Sequence, residues 1–246
     1  MNRVAVWDAD FIPFYVCHNK DDKVEKSLEQ CIIDCDSLIS NVNKAIGCNR
    51  FTGFLTKGKC FRYAIYPAYK GNRKYANLPK YMTEVRKYLQ DHYIFTYNSL
   101  YEADDLVLSY KNYSKDDCII VSPDKDILNL RGTHYNPRKN EFVTTTSLDA
   151  EIYFWRSMIT GDPGDNVKGI KGIGPAGADK LIKSINLLSS LRSAVLDKYC
   201  EVFGEEDGIT EFYTNYKCLK IVGNIPFDVE YNKTELVCEQ EKETGV

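Results

Sequence analysis

Nine carboxylates stand in four short groups: Asp8 and Asp10; Glu102, Asp104 and Asp105; Asp124 and Asp126; Asp162 and Asp165. The first group ends a strand-like run, Arg3-Val4-Ala5-Val6-Trp7, and the third follows another, Cys118-Ile119-Ile120-Val121, after the turn Ser122-Pro123. Residues two apart in an extended turn point the same way, and ligands of open α/β sheets collect outside the carboxyl ends of the strands. Carboxylates gathered there raise one another's pKa unless cations neutralise them. The chain has only three histidines, and its nine cysteines show no C-x-x-C spacing, so the donors on offer are oxygens. Oxygen donors suit Mg²⁺ or Mn²⁺ rather than zinc. More acids than one ion can use imply two ions, the arrangement that clamps the attacking and leaving oxygens of a phosphoryl displacement. Phosphodiester hydrolysis is the chemistry that follows.

Each group also has a structural explanation. Ser99-Leu100-Tyr101-Glu102 has the form of a capping box, and acids in a first helical turn suit the macrodipole. Asp162 or Asp165 can cap a helix or close a turn, and Asp124-Lys125-Asp126 can be a solvated turn. These readings leave unexplained why all four groups fall where a sheet would bring them together.

A second feature is electrostatic. Residues 57–90 carry Lys57, Lys59, Arg62, Lys70, Arg73, Lys74, Lys80, Arg86 and Lys87 against one acid, Glu84. The whole chain, with 32 basic and 35 acidic residues, has a formal charge of -3, so any surface for a polyanion must be local. Tyr69, Tyr75, Tyr81 and Tyr88 interleave with these cations and can stack on bases. Tyr81, Val85 and Tyr88 recur at helical spacing, however, and read better as packing. Pro67 and Gly71 set Lys70 and Arg73 in a turn-like stretch rather than on a helix face, which makes these two the better binding residues.

The third device is Gly169-Ile170-Lys171-Gly172-Ile173-Gly174-Pro175, leading into a helical Ala176 to Ile185. Gly172 and Gly174 permit a tight turn, Pro175 fits the first helical position, and amides at the helix start can hold a phosphate. This is the hairpin of a helix-hairpin-helix, with Lys180 and Lys183 extending the phosphate contact. Neither G-x-x-x-x-G-K-[ST] nor a strand-linked G-x-G-x-x-G fits here.

The elements that must position these groups are those of an α/β layer fold. Strands are expected at Val4 to Trp7, His92 to Tyr97 and Cys118 to Val121, and helices at Ser27 to Lys44, Pro79 to Gln90 and Ser99 to Tyr113. A polar hairpin, Tyr135 to Thr146, then leads into a helical Ser147 to Ile159, and the pattern beyond Gly177 is helical to about Lys220. Tyr231 to Val246 is polar and expected to be loosely held. The 246 residues, 43% apolar and 27% charged, allow one sizeable core or two small ones. The apolar runs are short and no signal peptide is readable, so a cytoplasmic protein with reduced thiols is expected.

In this order, Asp8, Tyr69-Lys70-Gly71-Asn72-Arg73, Tyr101-Glu102-Ala103-Asp104-Asp105, Ser122-Pro123-Asp124-Lys125-Asp126 and Gly161-Asp162-Pro163-Gly164-Asp165-Asn166, running into Gly172-Ile173-Gly174, resemble the 5′-nuclease family. That family includes bacteriophage 5′-3′ exonucleases, the 5′-nuclease domain of bacterial DNA polymerase I and the flap endonucleases. The resemblance spans residues 1 to about 228. It implies a PIN-like, mostly parallel sheet flanked by helices over residues 1–150, with an arch near 70–98. A helical helix-hairpin-helix (H3TH) subdomain is implied at 151–228, and a polar tail at 229–246. By matching positions it implies Asp8, Glu102, Asp104, Asp105 and Asp124 around a first metal, and Asp126, Asp162 and Asp165 around a second. Lys70 then stabilises the scissile phosphate with Arg73 as companion, Tyr69 stacks on the neighbouring base, and K⁺ sits at the hairpin. Two departures stand out. Phe54-Leu55-Thr56 precedes Phe61-Arg62 where many relatives read Phe-Asp-Gly, and the first strand ends Asp8-Ala9-Asp10. The missing carboxylate implies either weaker affinity at the first site or compensation by Asp10.

The expected activity is therefore a monomeric, divalent-metal-dependent 5′-3′ exonuclease and flap endonuclease. Its substrates would be DNA with a 5′ end or flap, with RNA primers in an RNA-DNA hybrid as a second class. Two other readings stay open: a PIN-type ribonuclease, which would not need the glycine hairpin, and a non-catalytic structure-specific DNA-binding protein, which would not need the acids.

Overall fold

The computed structural model describes residues 3–18, 25–73, 78–185, 188–225 and 236–237. Its sheet is built from β1 (Arg3–Asp8), β2 (Arg50–Thr56), β3 (Thr96–Asn98), β4 (Asp117–Val121), β5 (Gly132–Asn136) and β6 (Glu141–Thr145), in the order β3-β2-β1-β4-β5-β6. The first five are mutually parallel; β6 returns antiparallel to β5 through the expected polar hairpin. The pair Leu236–Val237, from the stretch expected to be loose, adds antiparallel to β2, and the rest of that stretch lies outside the described residues.

Both faces of the sheet are covered, which is why β1 reads as an unbroken apolar run: Val4, Ala5, Val6 and Trp7 are all 0% exposed. On one face pack α1 (Phe11–Cys17), α2 (Leu28–Ala45) and α4 (Met82–Tyr93), through Ile12, Cys31, Cys35, Ile39, Val85 and Leu89. Ser27 starts α2 by accepting a hydrogen bond from the Gln30 amide at 3.1 Å. On the other face lies α5 (Ala103–Tyr113), through Leu106, Val107 and Tyr110, together with Ile221 and Ile225. A third core joins α6 (Ser147–Thr160), α7 (Pro175–Lys183), α8 (Leu191–Phe203) and α9 (Glu205–Leu219), and it draws in Cys60 and Tyr69 beside the one-turn α3 (Arg62–Ile65). The helical layer is thus packed onto the basic segment.

Three boundaries differ from the sequence expectation. Helix α4 starts at Met82 rather than Pro79 and runs to Tyr93, so β3 begins at Thr96, not His92. Tyr81 and Ile94, at φ 68° and 52°, turn the chain at the two ends of α4. Helix α5 begins at Ala103 with Glu102 as its N-cap, not at Ser99. The Leu100 carbonyl accepts from the Phe61 amide at 2.9 Å, which holds residues 99–101 out of the helix. Strand β2 and helix α1 carried no signal that the sequence reading used. Within the expected arch, residues 74–77 lie outside the described set, so Lys74 and Tyr75 are not placed.

Strand order reverses between β1 and β4, since β2 and β3 extend the sheet one way and β4 and β5 the other. A crevice at the carboxyl ends of β1 and β4 is the place such a sheet offers a ligand.

Candidate active site

The last residue of β1, Asp8, accepts a hydrogen bond from Ser122 Oγ at 2.9 Å, which ties the ends of β1 and β4 together. The following turn is built from its own side chains. The Asp124 amide donates to Ser122 Oγ at 3.1 Å, and the Asp126 amide donates to Asp124 Oδ1 at 2.9 Å. Asp162, closing the two-residue strand β7 (Gly161–Asp162) that pairs with β8 (Val167–Lys168), lies within hydrogen-bonding reach of Asp126. Its Oδ1 accepts from the amides of Gly164 at 2.6 Å and Asp165 at 3.3 Å.

Lys70 and Arg73 reach the same place through a loop stitched to that turn. The Lys70 amide donates to the Asp165 carbonyl at 2.9 Å, Asn166 Nδ2 to the Ala68 carbonyl at 2.8 Å, and Asn72 Nδ2 to the Pro163 carbonyl at 2.6 Å. These contacts hold Lys70 at φ 53°, a backbone conformation that costs a non-glycine residue about 1 kcal/mol. The Lys70 ammonium bonds Glu102 and lies 3.6 Å from Asp165, while Arg73 pairs with Asp165 at 2.9 Å. Burial alone would lower the Lys70 pKa, but Glu102 and Asp165 outweigh it and keep the group charged.

Two expected residues are placed otherwise. Tyr69 is 1% exposed and cannot stack on a base; its ring packs edge-on against Tyr63 and its hydroxyl lies 2.9 Å from Glu102 Oε2 and 2.7 Å from Asp165 Oδ2. Asp105 points away from the crevice. It accepts from Arg62 at 2.6 and 2.8 Å, from the Val222 amide at 2.7 Å and from the Glu102 amide at 3.2 Å. A carboxylate offers about four lone-pair sites, so Asp105 has none left for a metal.

Three acids, Asp8, Asp104 and Asp126, are left short of positive charge. Burial, then Asp10 and Asp124, push Asp8 up to about 7 against the opposing Ser122 bond; burial, then Asp124 and Asp162, push Asp126 up to about 7. Burial, with Asp105 and Glu102 adding to it against Arg62, holds Asp104 well above the usual carboxylate range. Such a set suits a dication. Among the described residues no three acids converge closely enough to hold a metal as they stand. Mg²⁺ does not require this, because it commonly takes one or two carboxylates and fills its other positions with water and substrate phosphate. A cavity of ≈ 30 Å³ between Asp104, Asp126, Asp162 and Asp165 has the scale of one or two waters. Leu55 is fully buried in the core, and Asp10 stands at the end of β2 instead, where its Oδ1 accepts from the Thr56 amide at 2.8 Å and from Arg86 at 3.1 Å.

A second cavity of ≈ 210 Å³ runs from Asp126 and Asp162 past Tyr153 and Arg156 to Pro175, joining the acids to the glycine hairpin. Pro175 opens α7 behind Gly174, and Gly172 turns at φ +83°. Gly172, Gly174, Lys180 and Lys183 are all exposed there. The sequence reading missed the roles of Arg62, Ser122, Asn72, Asn166 and Arg86. Only Ser122, inside the Ser-Pro-Asp turn, carried a local signal.

The family model of the 5′-3′ exonuclease N-terminal resolvase-like domain matches residues 22–152. A flap endonuclease Xni of a Shewanella species is 32% identical over 152 residues, covering 55% of this chain and 57% of that protein, so the match spans little more than half of the relative's length. DNA polymerase I of Caldicellulosiruptor bescii is 28% identical over 217 residues, covering 74% of this chain and 25% of the polymerase. Among solved structures, the bacteriophage T5 flap endonuclease in a pseudo-enzyme-product complex with DNA and metal ions has a TM-score of 0.68 at 20% identity, covering 88% of this chain and 91% of that one. That likeness shows the PIN-like fold.

Proposed function

The chain belongs to the 5′-3′ exonuclease family, and on that premise we propose that it is a divalent-metal-dependent 5′-3′ exonuclease and flap endonuclease. Its substrate is DNA with a 5′ end or 5′ flap, with RNA-primer hybrids as a second class, and it acts as a monomer. One observation carries the reading: Asp8 and Asp126, buried acids repelled by their neighbours, stand at the ends of β1 and β4, and Asp126 shares a cavity with Asp165, the partner of Lys70 and Arg73. Asp8, Glu102, Asp104 and Asp124 would hold one ion, and Asp126, Asp162 and Asp165 the other; Asp105 orients Glu102 instead. Bound Mg²⁺ or Mn²⁺ supplies a water of lowered pKa and stabilises the departing oxygen.

The chain's own residues do the rest. Lys70 and Arg73 neutralise charge on the scissile phosphate as it develops, from positions fixed before substrate arrives. Residues 169–174 and the start of α7 grip the duplex phosphates, with Lys180 and Lys183 beside them and K⁺ at the turn, as the helical part of residues 151–228. The cavity past Tyr153 and Arg156 gives the strand a path from that grip to the acids. The test reads polarity and metal dependence together: 5′-labelled and 3′-labelled flap DNA, nicked DNA and single-stranded RNA are incubated with Mg²⁺, Mn²⁺ or EDTA. Cleavage near the flap junction in metal, its loss in EDTA and a fall of about a hundredfold or more in Asp126→Asn are expected. Preferred cleavage of the RNA, or an Asp126→Asn variant as fast as the parent, would reject the assignment.

A further inference from the structure

Arg62 is 1% exposed and uses every N–H it has. Its Nε donates to the Cys218 carbonyl at 2.9 Å; one terminal nitrogen donates to Glu102 at 3.3 Å and Asp105 at 2.6 Å; the other donates to Asp105 at 2.8 Å and to the Lys220 carbonyl at 2.9 Å. A guanidinium has five N–H groups in a fixed fork, so the count is complete, and a lysine could not reproduce it. The carbonyls belong to the last turn of α9 and the residue just past it, groups that a helix leaves without internal partners and that favour a cation.

Beyond α9 the chain runs along α5, held by a polar stripe at helical spacing. Asp105 accepts from the Val222 amide at 2.7 Å, Ser109 Oγ donates to the Val222 carbonyl at 3.3 Å and accepts from the Ile225 amide at 3.2 Å, and Asn112 Nδ2 donates to the Gly223 carbonyl at 2.8 Å. Asp105, Ser109 and Asn112 lie on one face of α5, and the stripe ends at the Arg62–Asp105 pair, one hydrogen bond from Glu102.

Resting on the cation-binding reading above, we propose that Arg62 is a positioning residue that couples the docking of residues 218–225 to Glu102, so that this docking and dication binding in the crevice strengthen each other. The segment contributes no group to the chemistry, yet it sets the direction of one that does. Coupling between two equilibria is reciprocal, which gives a test needing no mutation.

The probe is Mn²⁺ added to the full-length protein, with hydrogen exchange read at the Val222 amide and Mn²⁺ affinity read by calorimetry. Saturating Mn²⁺ should slow Val222 exchange about tenfold, and Arg62→Lys should weaken Mn²⁺ binding by about tenfold or more while speeding exchange at Val222. Asn112→Ala loosens the segment far from the acids and should weaken Mn²⁺ binding severalfold; it also serves if Arg62→Lys does not fold. Val222 exchange indifferent to Mn²⁺, or an Asn112→Ala variant with faster exchange and unchanged Mn²⁺ affinity, would overturn the coupling. A parent protein that binds no Mn²⁺ overturns both this and the metal assignment, whereas one that binds Mn²⁺ and shows the coupling but cleaves no DNA overturns the nuclease reading alone.

Discussion

Tyr69 has one hydroxyl proton and two carboxylates to give it to, Glu102 at 2.9 Å and Asp165 at 2.7 Å. Only one can receive it at a time, so the other must rely on Lys70, Arg73 or Arg62, all of which reach this pair. The tyrosine is therefore a bridge between two acid groups that lie far apart in the chain. Tyr69→Phe keeps the ring and deletes the bridge. Loss of a hydrogen bond to a charged, buried partner should lower stability by about 1–3 kcal/mol, and the Mg²⁺ concentration for half-maximal cleavage should rise about tenfold, as for other supporting partners of metal ligands. Denaturant unfolding and an Mg²⁺ titration of the cleavage rate read the two quantities; a stacking role, met by the ring alone, would leave both at their wild-type values.

At the scale of elements, the glycines of the hairpin region do two different jobs. Gly161 ends α6 at φ +74°, and a Cβ there would meet the Gly169 nitrogen at 2.3 Å and the Val167 carbonyl oxygen at 2.4 Å. Both contacts are backbone, so the β7–β8 pair that presents Asp162 cannot close over a side chain. Gly172, at φ +83°, has nothing within 4 Å of its Cβ position and is needed for its turn alone. Gly161→Ala should therefore cost about 3 kcal/mol through overpacking, and Gly172→Ala only about 1 kcal/mol through left-handed strain. Urea midpoints of the two variants test the order. If Gly172→Ala is the more damaging to the fold, the hairpin is packed in a way the contacts contradict. Duplex binding should show the reverse order of specificity, with Gly172→Ala weakening it in a protein that is still folded.

The whole molecule carries a pH dependence that the acids alone would hide. His134, on β5, is 3% exposed, holds the Leu130 carbonyl through Nε2 at 2.8 Å and leaves Nδ1 buried without a partner among the described residues. Burial lowers its pKa below the ordinary 6.5, against the opposing Leu130 bond. The unfolded chain then binds the proton more readily than the native one. Stability from this group is complete above pH 6.5 and declines as pH falls from there to the depressed native value, with a slope of up to about 1.4 kcal/mol per pH unit. Asp8 and Asp126, raised from 3.8 to about 7, contribute the opposite slope over that interval in metal-free protein. The difference between wild type and His134→Gln isolates the histidine: their stability gap should narrow from pH 7.5 to pH 5.5 in equilibrium urea unfolding, and a constant gap would show that His134 is not held neutral. No helix among the described residues is long and apolar enough to cross a membrane.

The amino-acid sequence by itself determined the α/β alternation, the four acid groups, the Lys70–Arg73 turn and the glycine hairpin, because each is a short local pattern whose meaning rests on neighbours within a few residues. It did not determine which acids face the crevice. Asp104 and Asp105 are adjacent, and neighbouring residues on a helix point about 100° apart; the choice between them was made by Arg62, 43 positions away from Asp105, and by the Val222 amide, 117 positions away. The same holds for Tyr69, whose burial follows from the packing of a helical layer that begins some eighty residues later. Local spacing fixes which side chains share an element, and only the closing of distant elements on one another decides which of their atoms still have a free lone pair.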